Sequence, residues 1–128
     1  MTRLEVLLCV KIGFTVLTCL IPMLALRPAR VAGLFGVEIG AVGLIRLYGI
    51  ALAALLVGYG SGLVAAGRGE FPQGIVLMGI LSNLGASGYL FATGEWRRMP
   101  PLPIVFGLIG AGLVWALAAP DTWMASIA

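Results

Sequence analysis

Gly43–Gly67 reads GLIRLYGIALAALLVGYGSGLVAAG, and Arg46 is the only charged residue in it. The stretch is about 25 residues long, whereas about 20 predominantly apolar residues are enough for an α-helix to cross the hydrocarbon core of a bilayer. An apolar run of this length is too long for an ordinary soluble helix. This stretch therefore predicts a membrane-spanning helix.

Three further apolar runs of similar length accompany it. At about 20 residues per span, the 128 residues accommodate four helices with short connections and no separate soluble domain. We therefore expect an all-α integral membrane protein, a four-helix transmembrane bundle with short loops that forms a single transmembrane domain over residues 1–128. The predicted helices cover residues about 4–26, 43–66, 72–93 and 102–119.

The composition agrees with a chain that lies mostly in lipid. Charged residues make up 10% of it, against roughly 25% in soluble proteins. The net charge is +3, but the Arg and Lys residues are scattered singly or in pairs at the ends of apolar runs. This pattern is typical of contacts with anionic lipid headgroups. We expect the lipid bilayer as the main partner and no nucleic acid.

Several kinds of chemistry lack their residues in this chain. There is no histidine, which excludes an imidazole metal site and a histidine base. Cys9 and Cys19 lie about 15 Å apart along one predicted helix, too far for a disulfide, and we expect both to be buried packing residues. No paired intramembrane carboxylates, Cys-x-x-Cys or Gly-rich phosphate loop is present. The sequence favours a protein that is not an enzyme, with no cofactor and no metal.

The first apolar run has two interpretations. Its basic start and apolar middle are also features of a signal peptide, but no A-x-A-like cleavage site follows Leu26. Thr18 stands where a lipoprotein signal before Cys19 has a smaller residue. We therefore expect a retained helix.

A polar stripe follows this first helix. Lys11, Thr15, Thr18 and Pro22 are spaced by four, three and four residues, which places them on one face. In one interpretation the hydroxyls bond helix backbones while Lys11 extends to the nearer surface. In the other, the stripe is the polar wall of an internal cavity.

The other helices contribute isolated polar residues. Arg46 is expected to meet a lipid phosphate or Glu38. Asn83 must face another helix or a cavity, because an unpaired amide in hydrocarbon costs several kcal/mol; we expect a structural role or a ligand contact. The candidate intramembrane polar residues are Lys11, Thr15, Thr18, Glu38, Arg46, Asn83 and Ser87.

The predicted second helix has two different faces. Small residues, among them Gly49 and Gly60, share the face of Arg46, whereas Tyr59 lies on the opposite side. Because small residues let helices approach closely, we expect the small face to point into the bundle and Tyr59 towards lipid. On this assignment, Gly60→Leu or Arg46→Ala reduces folding or assembly and Tyr59→Leu is mild.

Four short-looped helices, a Gly/Pro-rich first connection and the sequence Arg46-Leu47-Tyr48-Gly49 resemble the DoxX-like group of small bacterial membrane proteins. The layout covers most of the chain, but the matching residues are only these four. The resemblance implies a four-helix bundle in the bacterial inner membrane that assists a redox or export process, and it transfers no catalytic residue. Because the loop segments 27–46 and 94–101 carry most of the Arg residues, the positive-inside rule favours termini outside.

Two function classes follow from these features. The first is an accessory membrane protein that binds a partner subunit, a second copy or a lipid-like molecule. The alternative is a small dimeric transporter or channel with a polar path that reaches Asn83. Small multidrug transporters and fluoride channels are similar in size, but the embedded Glu of the former is replaced here by Lys11, and the Asn and Phe residues of the latter are absent.

Overall fold

The structure, a computed structural model, describes residues 1–127 and forms a bundle of α-helices. Four of its helices are long and apolar enough to cross a membrane, and no β-strand occurs among the described residues. The predicted all-α class and multi-pass membrane character are therefore confirmed. The first to fourth spanning helices are Arg3–Ala25, Ile39–Gly67, Gln73–Thr93 and Pro101–Ala118.

Short elements connect the spanning helices. A helix over Pro28–Phe35 follows the first, begins with a proline that suits the first helical position, and ends at Gly36 in the left-handed conformation, φ 63°. A 3₁₀ turn, Glu95–Arg97, joins the third and fourth spanning helices, and Pro120–Met124 forms a last short helix. These connections leave no room for a separate soluble domain within the described residues.

The two ends of the described chain meet at one end of the bundle. Thr2 and Ser126 form a β-bridge, and the Ile127 amide donates a hydrogen bond of 2.9 Å to the Met1 carbonyl. The turn between the second and third spanning helices lies at this end, which we call the terminal side. The opposite end, the loop side, carries the segments 27–38 and 94–100.

The first spanning helix contains a π-helical turn over Val16–Leu20, in which the Ile21 amide donates to the Val16 carbonyl. Pro22 provides the physical reason, because its ring crowds the carbonyl four residues earlier and it has no N–H to donate, and a turn wider by one residue relieves this contact. The extra residue changes which side chains face inward. Beyond Thr15 the buried residues are Cys19 and Met23, and Thr18 is exposed.

The terminal-side half of the bundle is tightly packed. The third and fourth spanning helices approach closely there and at mid-membrane depth, since Gly79 leaves room for Leu113 and Gly110 leaves room for Leu84. The helices can approach at these glycines because glycine has no side chain. A Cβ at either position would overlap a leucine of the neighbouring helix. The packed core consists of Leu4, Leu8, Tyr59, Ala66, Val76, Ile109, Leu113 and Ala116.

The second spanning helix buries a different face from the one that its sequence predicts. Tyr59 is only 1% exposed, whereas Gly60 has open space around it, so the assignment of Tyr59 to lipid is wrong. The helix crosses its neighbours: its first half packs through Gly49 against Leu24, and its second half packs through Gly62 against Ile75. The buried face therefore rotates along the helix. The expectation that Cys9 is buried is also wrong, since its side chain is exposed.

Arg46 holds the end of the first spanning helix. Its guanidinium donates to the carbonyls of Leu24 at 2.8 Å and Leu26 at 3.0 Å. The last carbonyls of a helix have no partner within the helix, and a cation also favours the negative end of the helix dipole. The predicted pairing with Glu38 is absent, because the guanidinium is used at this helix end instead.

Replacing Arg46 by alanine is expected to lower the free energy of unfolding by about 2 kcal/mol, because two carbonyls lose charge-assisted hydrogen bonds. Arg68→Ala is the matched control, since Arg68 is exposed at the terminal side and forms no side-chain hydrogen bond within residues 1–127. Apparent Tm in mild detergent measures both. Equal Tm values for the two variants would contradict the helix-end role.

Candidate functional site

A cavity of about 590 Å³ opens between the spanning helices in the loop-side half of the bundle. Phe35, Glu95 and Arg98 lie at its loop-side end, and Lys11 and Tyr59 lie at its inner end. Its volume falls within the range of roughly 300–1,000 Å³ that is usual for pockets that enclose one small ligand. The cavity is therefore the candidate functional site.

The cavity ends near the middle of the membrane. Lys11 lies eight residues from Arg3, and Tyr59 lies eight residues from Gly67, so both are about 12 Å along their helices from the terminal side. Half of a typical hydrocarbon core is about 15 Å. Below this level lies the packed core, so the bundle is hollow in one half and filled in the other.

Lys11 is the charged group at the inner end of the cavity. Lys11 is 6% exposed, and its ammonium lies 4.5 Å from the ring centroid of Phe106 and 5.7 Å from the ring centroid of Tyr59. These distances are those of cation–π contacts. Within residues 1–127 the only ion pair joins Arg98 to Glu95, so no carboxylate of the described chain neutralises this ammonium.

Thr15 lies one turn from Lys11 on the cavity wall. It is 2% exposed, and its Oγ1 has no hydrogen-bond partner among the described residues. Thr18, which also lines the cavity, differs because its hydroxyl donates to the Phe14 carbonyl at 2.7 Å. The Thr18 hydroxyl therefore has a backbone hydrogen bond, and the Thr15 hydroxyl has none within the described chain.

Asn83 lies behind the inner end of the cavity and is not on its wall. Its Nδ2 donates to the Tyr59 hydroxyl at 3.1 Å and to the Gly79 carbonyl at 2.7 Å. The Tyr59 hydroxyl lies 3.0 Å from the Ser82 Oγ, which completes a polar cluster between the second and third spanning helices. This cluster is a structural link at mid-membrane depth.

Ser87 joins the third and fourth spanning helices. Its hydroxyl donates to the Pro103 carbonyl at 2.8 Å, and Gly107 provides the space for this approach. The residue is buried but does not line the cavity. Its geometry is that of an interhelical hydrogen bond.

The loop-side end of the cavity is built by the two loop segments. The Arg98 guanidinium lies against Gly36, where an added Cβ would come within 2.6 Å of Nη1. Arg98 also pairs with Glu95 at 3.9 Å. Glu38 and Arg46 are not on the cavity wall, and Glu38 is exposed.

The structure thus brings together only part of the candidate polar set. Lys11, Thr15 and Thr18 share the cavity wall, whereas the other members lie behind it or outside it. Neither Tyr59 nor Phe106 was predicted to belong to a site, although an aromatic ring near a lone intramembrane lysine is a usable signal. The wall residues that sequence reasoning missed include Tyr59, Ser82, Arg98 and Phe106.

No protein-family model, curated protein or solved structure matches this chain. The fold and the cavity therefore define a class only: a multi-pass helical membrane protein with an internal cavity in one half of its bundle.

Proposed function

We propose that this protein binds one lipid-like molecule in the cavity between its spanning helices. The observation that carries the proposal is the cavity itself, about 590 Å³ of space that reaches from the loop side to Lys11. A bundle whose only task is structural would be filled by side chains at this level, because protein interiors are close-packed. The proposed role is that of a binding or accessory protein.

The cavity wall supports a ligand that is mostly apolar. Between its two ends, the wall is formed chiefly by Leu side chains, with methionine and aromatic rings. Pockets that bind amphipathic small molecules combine such walls with a few polar groups that orient the ligand. The charged groups of the wall are at its two ends, with Lys11 at one and Glu95 and Arg98 at the other, which suits an elongated molecule with its head at one end.

A polar path through the membrane has less support than binding. Such a path would have to pass Tyr59 and the packed core between it and the terminal side, where Leu8, Ile109 and Leu113 are buried. Asn83 is separated from the cavity by its hydrogen bond to Tyr59. Solute uptake by vesicles that contain the protein would favour transport, the alternative function, over binding.

Filling the cavity is expected to remove the bound molecule. Gly85 lines the cavity and an added Cβ there has no heavy atom within 4 Å, so we expect the side chain of Gly85→Leu to occupy cavity space. Gly88→Leu is the matched control, because Gly88 is on the same helix, is equally open and does not line the cavity. Native mass spectrometry is expected to find one lipid-like molecule on the wild type and on Gly88→Leu, and none on Gly85→Leu.

An unoccupied wild type, or equal occupancy of both leucine variants, would overturn the proposed function. The wider setting that we propose follows the resemblance of Arg46-Leu47-Tyr48-Gly49 to the DoxX-like group: a bacterial inner membrane, termini outside, and a partner protein or second copy. Accessibility of cysteines introduced into the loops to an impermeant thiol reagent tests the orientation.

A further inference from the structure

We infer that the ligand is a single-chain amphiphile with an anionic carboxylate head, bound head-first so that the carboxylate meets the Lys11 ammonium and the Thr15 hydroxyl. The inference rests on the proposed function, because it assigns the chemistry of the molecule that the cavity holds. The carboxylate then lies near the middle of the membrane, and the hydrocarbon chain of the ligand extends in a single direction from it.

The need for an anion comes from Lys11. An ammonium at this depth and 6% exposed is costly unless an opposite charge accompanies it. The acidic residues of the chain are elsewhere: Glu5 caps the start of the first spanning helix by bonding the Thr2 amide, Glu95 pairs with Arg98 at the loop side, and the others are exposed. An opposite charge that keeps Lys11 protonated therefore has to come from outside the chain.

The choice of a carboxylate comes from two polar residues of the cavity wall, Lys11 and Thr15. Lys11 offers charged N–H donors, and Thr15, a wall residue that is 2% exposed, has a buried hydroxyl oxygen with no partner within residues 1–127. A carboxylate has two acceptor oxygens and binds one donor with each. The other buried oxygen without a partner, Asn83 Oδ1, is not on the wall and takes no part.

The direction of the chain follows from the rest of the wall. From Tyr59 to Tyr48 the wall extends over eleven residues of the second spanning helix, about 16 Å. Phe106 and the Leu side chains along this length are apolar surroundings for a hydrocarbon chain. A head at Lys11 therefore leaves the hydrocarbon chain of the ligand running towards the loop-side end of the cavity, where Phe35, Glu95 and Arg98 lie.

The test compares dodecanoate with dodecanol, which have equal chains and differ in the head. Binding is measured by calorimetry with the protein in phosphatidylcholine nanodiscs, and empty nanodiscs give the background. Dodecanoate is expected to bind about 10- to 100-fold more tightly, the usual effect of a charge-assisted hydrogen bond. Lys11→Met should abolish this difference, Lys11→Arg should keep it, and Thr15→Val should reduce it several-fold.

Equal binding of the two probes to the wild type overturns the inference, and it does so even if a Lys11 variant fails to fold. An unchanged preference in a folded Lys11→Met protein overturns it as well. Gly85→Leu separates this failure from that of the proposed function. If both probes bind equally and Gly85→Leu excludes both, the cavity is a binding site for a neutral molecule and only the inference fails. If neither probe binds the wild type, both fail.

Discussion

Gly110→Leu is expected to unfold the protein or to prevent its assembly in mild detergent, with a loss of more than about 3 kcal/mol. An added Cβ at Gly110 would lie 2.5 Å from Leu84 Cδ2 and 3.3 Å from the Leu84 backbone nitrogen. The Leu84 side chain is able to rotate away, but its backbone belongs to the third spanning helix. The two helices would have to separate, and the contacts along their whole length would weaken.

Ala111→Leu is the control for this substitution. Ala111 is the next residue on the same helix and is exposed, so a leucine there adds an apolar side chain on the lipid-facing surface. We expect an apparent Tm close to that of the wild type. Comparable losses of folded protein for the two variants, measured by size-exclusion chromatography, would contradict the close approach of the helices at Gly110.

Tyr59→Leu is expected to lower the free energy of unfolding by about 3 kcal/mol and the apparent Tm by roughly 10 °C. The buried ring would leave a void, and the Asn83 amide and the Ser82 hydroxyl would lose the phenolic oxygen between them. Lys11 would also lose one of its two aromatic neighbours. Each effect destabilises the same mid-membrane region.

Gly60→Leu is the comparison variant, because the faces assigned from the sequence predict that it is the destabilising substitution. In the structure nothing lies within 4 Å of an added Cβ at Gly60, so the substitution is expected to be neutral within about 0.5 kcal/mol. Tyr59→Phe keeps the ring and removes only the hydroxyl, and it should fall between the two. A Tyr59→Leu protein as stable as Gly60→Leu would restore the lipid-facing assignment.

The number and type of the spanning segments could be predicted because they depend on a strong and local quantity. A run of about 20 apolar residues in a membrane usually forms a spanning helix. In the bilayer each backbone N–H and C=O needs a hydrogen-bond partner, and a helix provides these partners within its own segment. Neighbouring chain segments do not alter that requirement. The fold class follows from it directly.

The polar stripe of the first spanning helix could be predicted only as far as its α-helical register holds. Lys11 and Thr15 are both buried on the cavity wall. In the π turn that follows, Cys19 is buried and Thr18 is exposed. The cause, Pro22, is present in the sequence. A proline inside a spanning segment does not specify whether the helix kinks or widens, since the neighbouring helices decide this.

The buried face of the second spanning helix could not be predicted from its own residues. A face assigned from one helix assumes that the same side is buried along its whole length, and the crossing of helices breaks this assumption between Gly49 and Tyr59. The size and the position of the cavity could not be predicted either, although a cavity wall was one of the two interpretations of Lys11, Thr15 and Thr18. The cavity volume is the small difference between two large volumes, that of the space between the four helices and that of the side chains that fill it.

The hollow half of the bundle lies on one side of the mid-membrane level, and the filled half lies on the other. If the cavity binds a lipid-like molecule as proposed, that molecule lies within one of the two leaflets. In a membrane whose leaflets differ in lipid composition, the proposed occupancy would then depend on the composition of that leaflet.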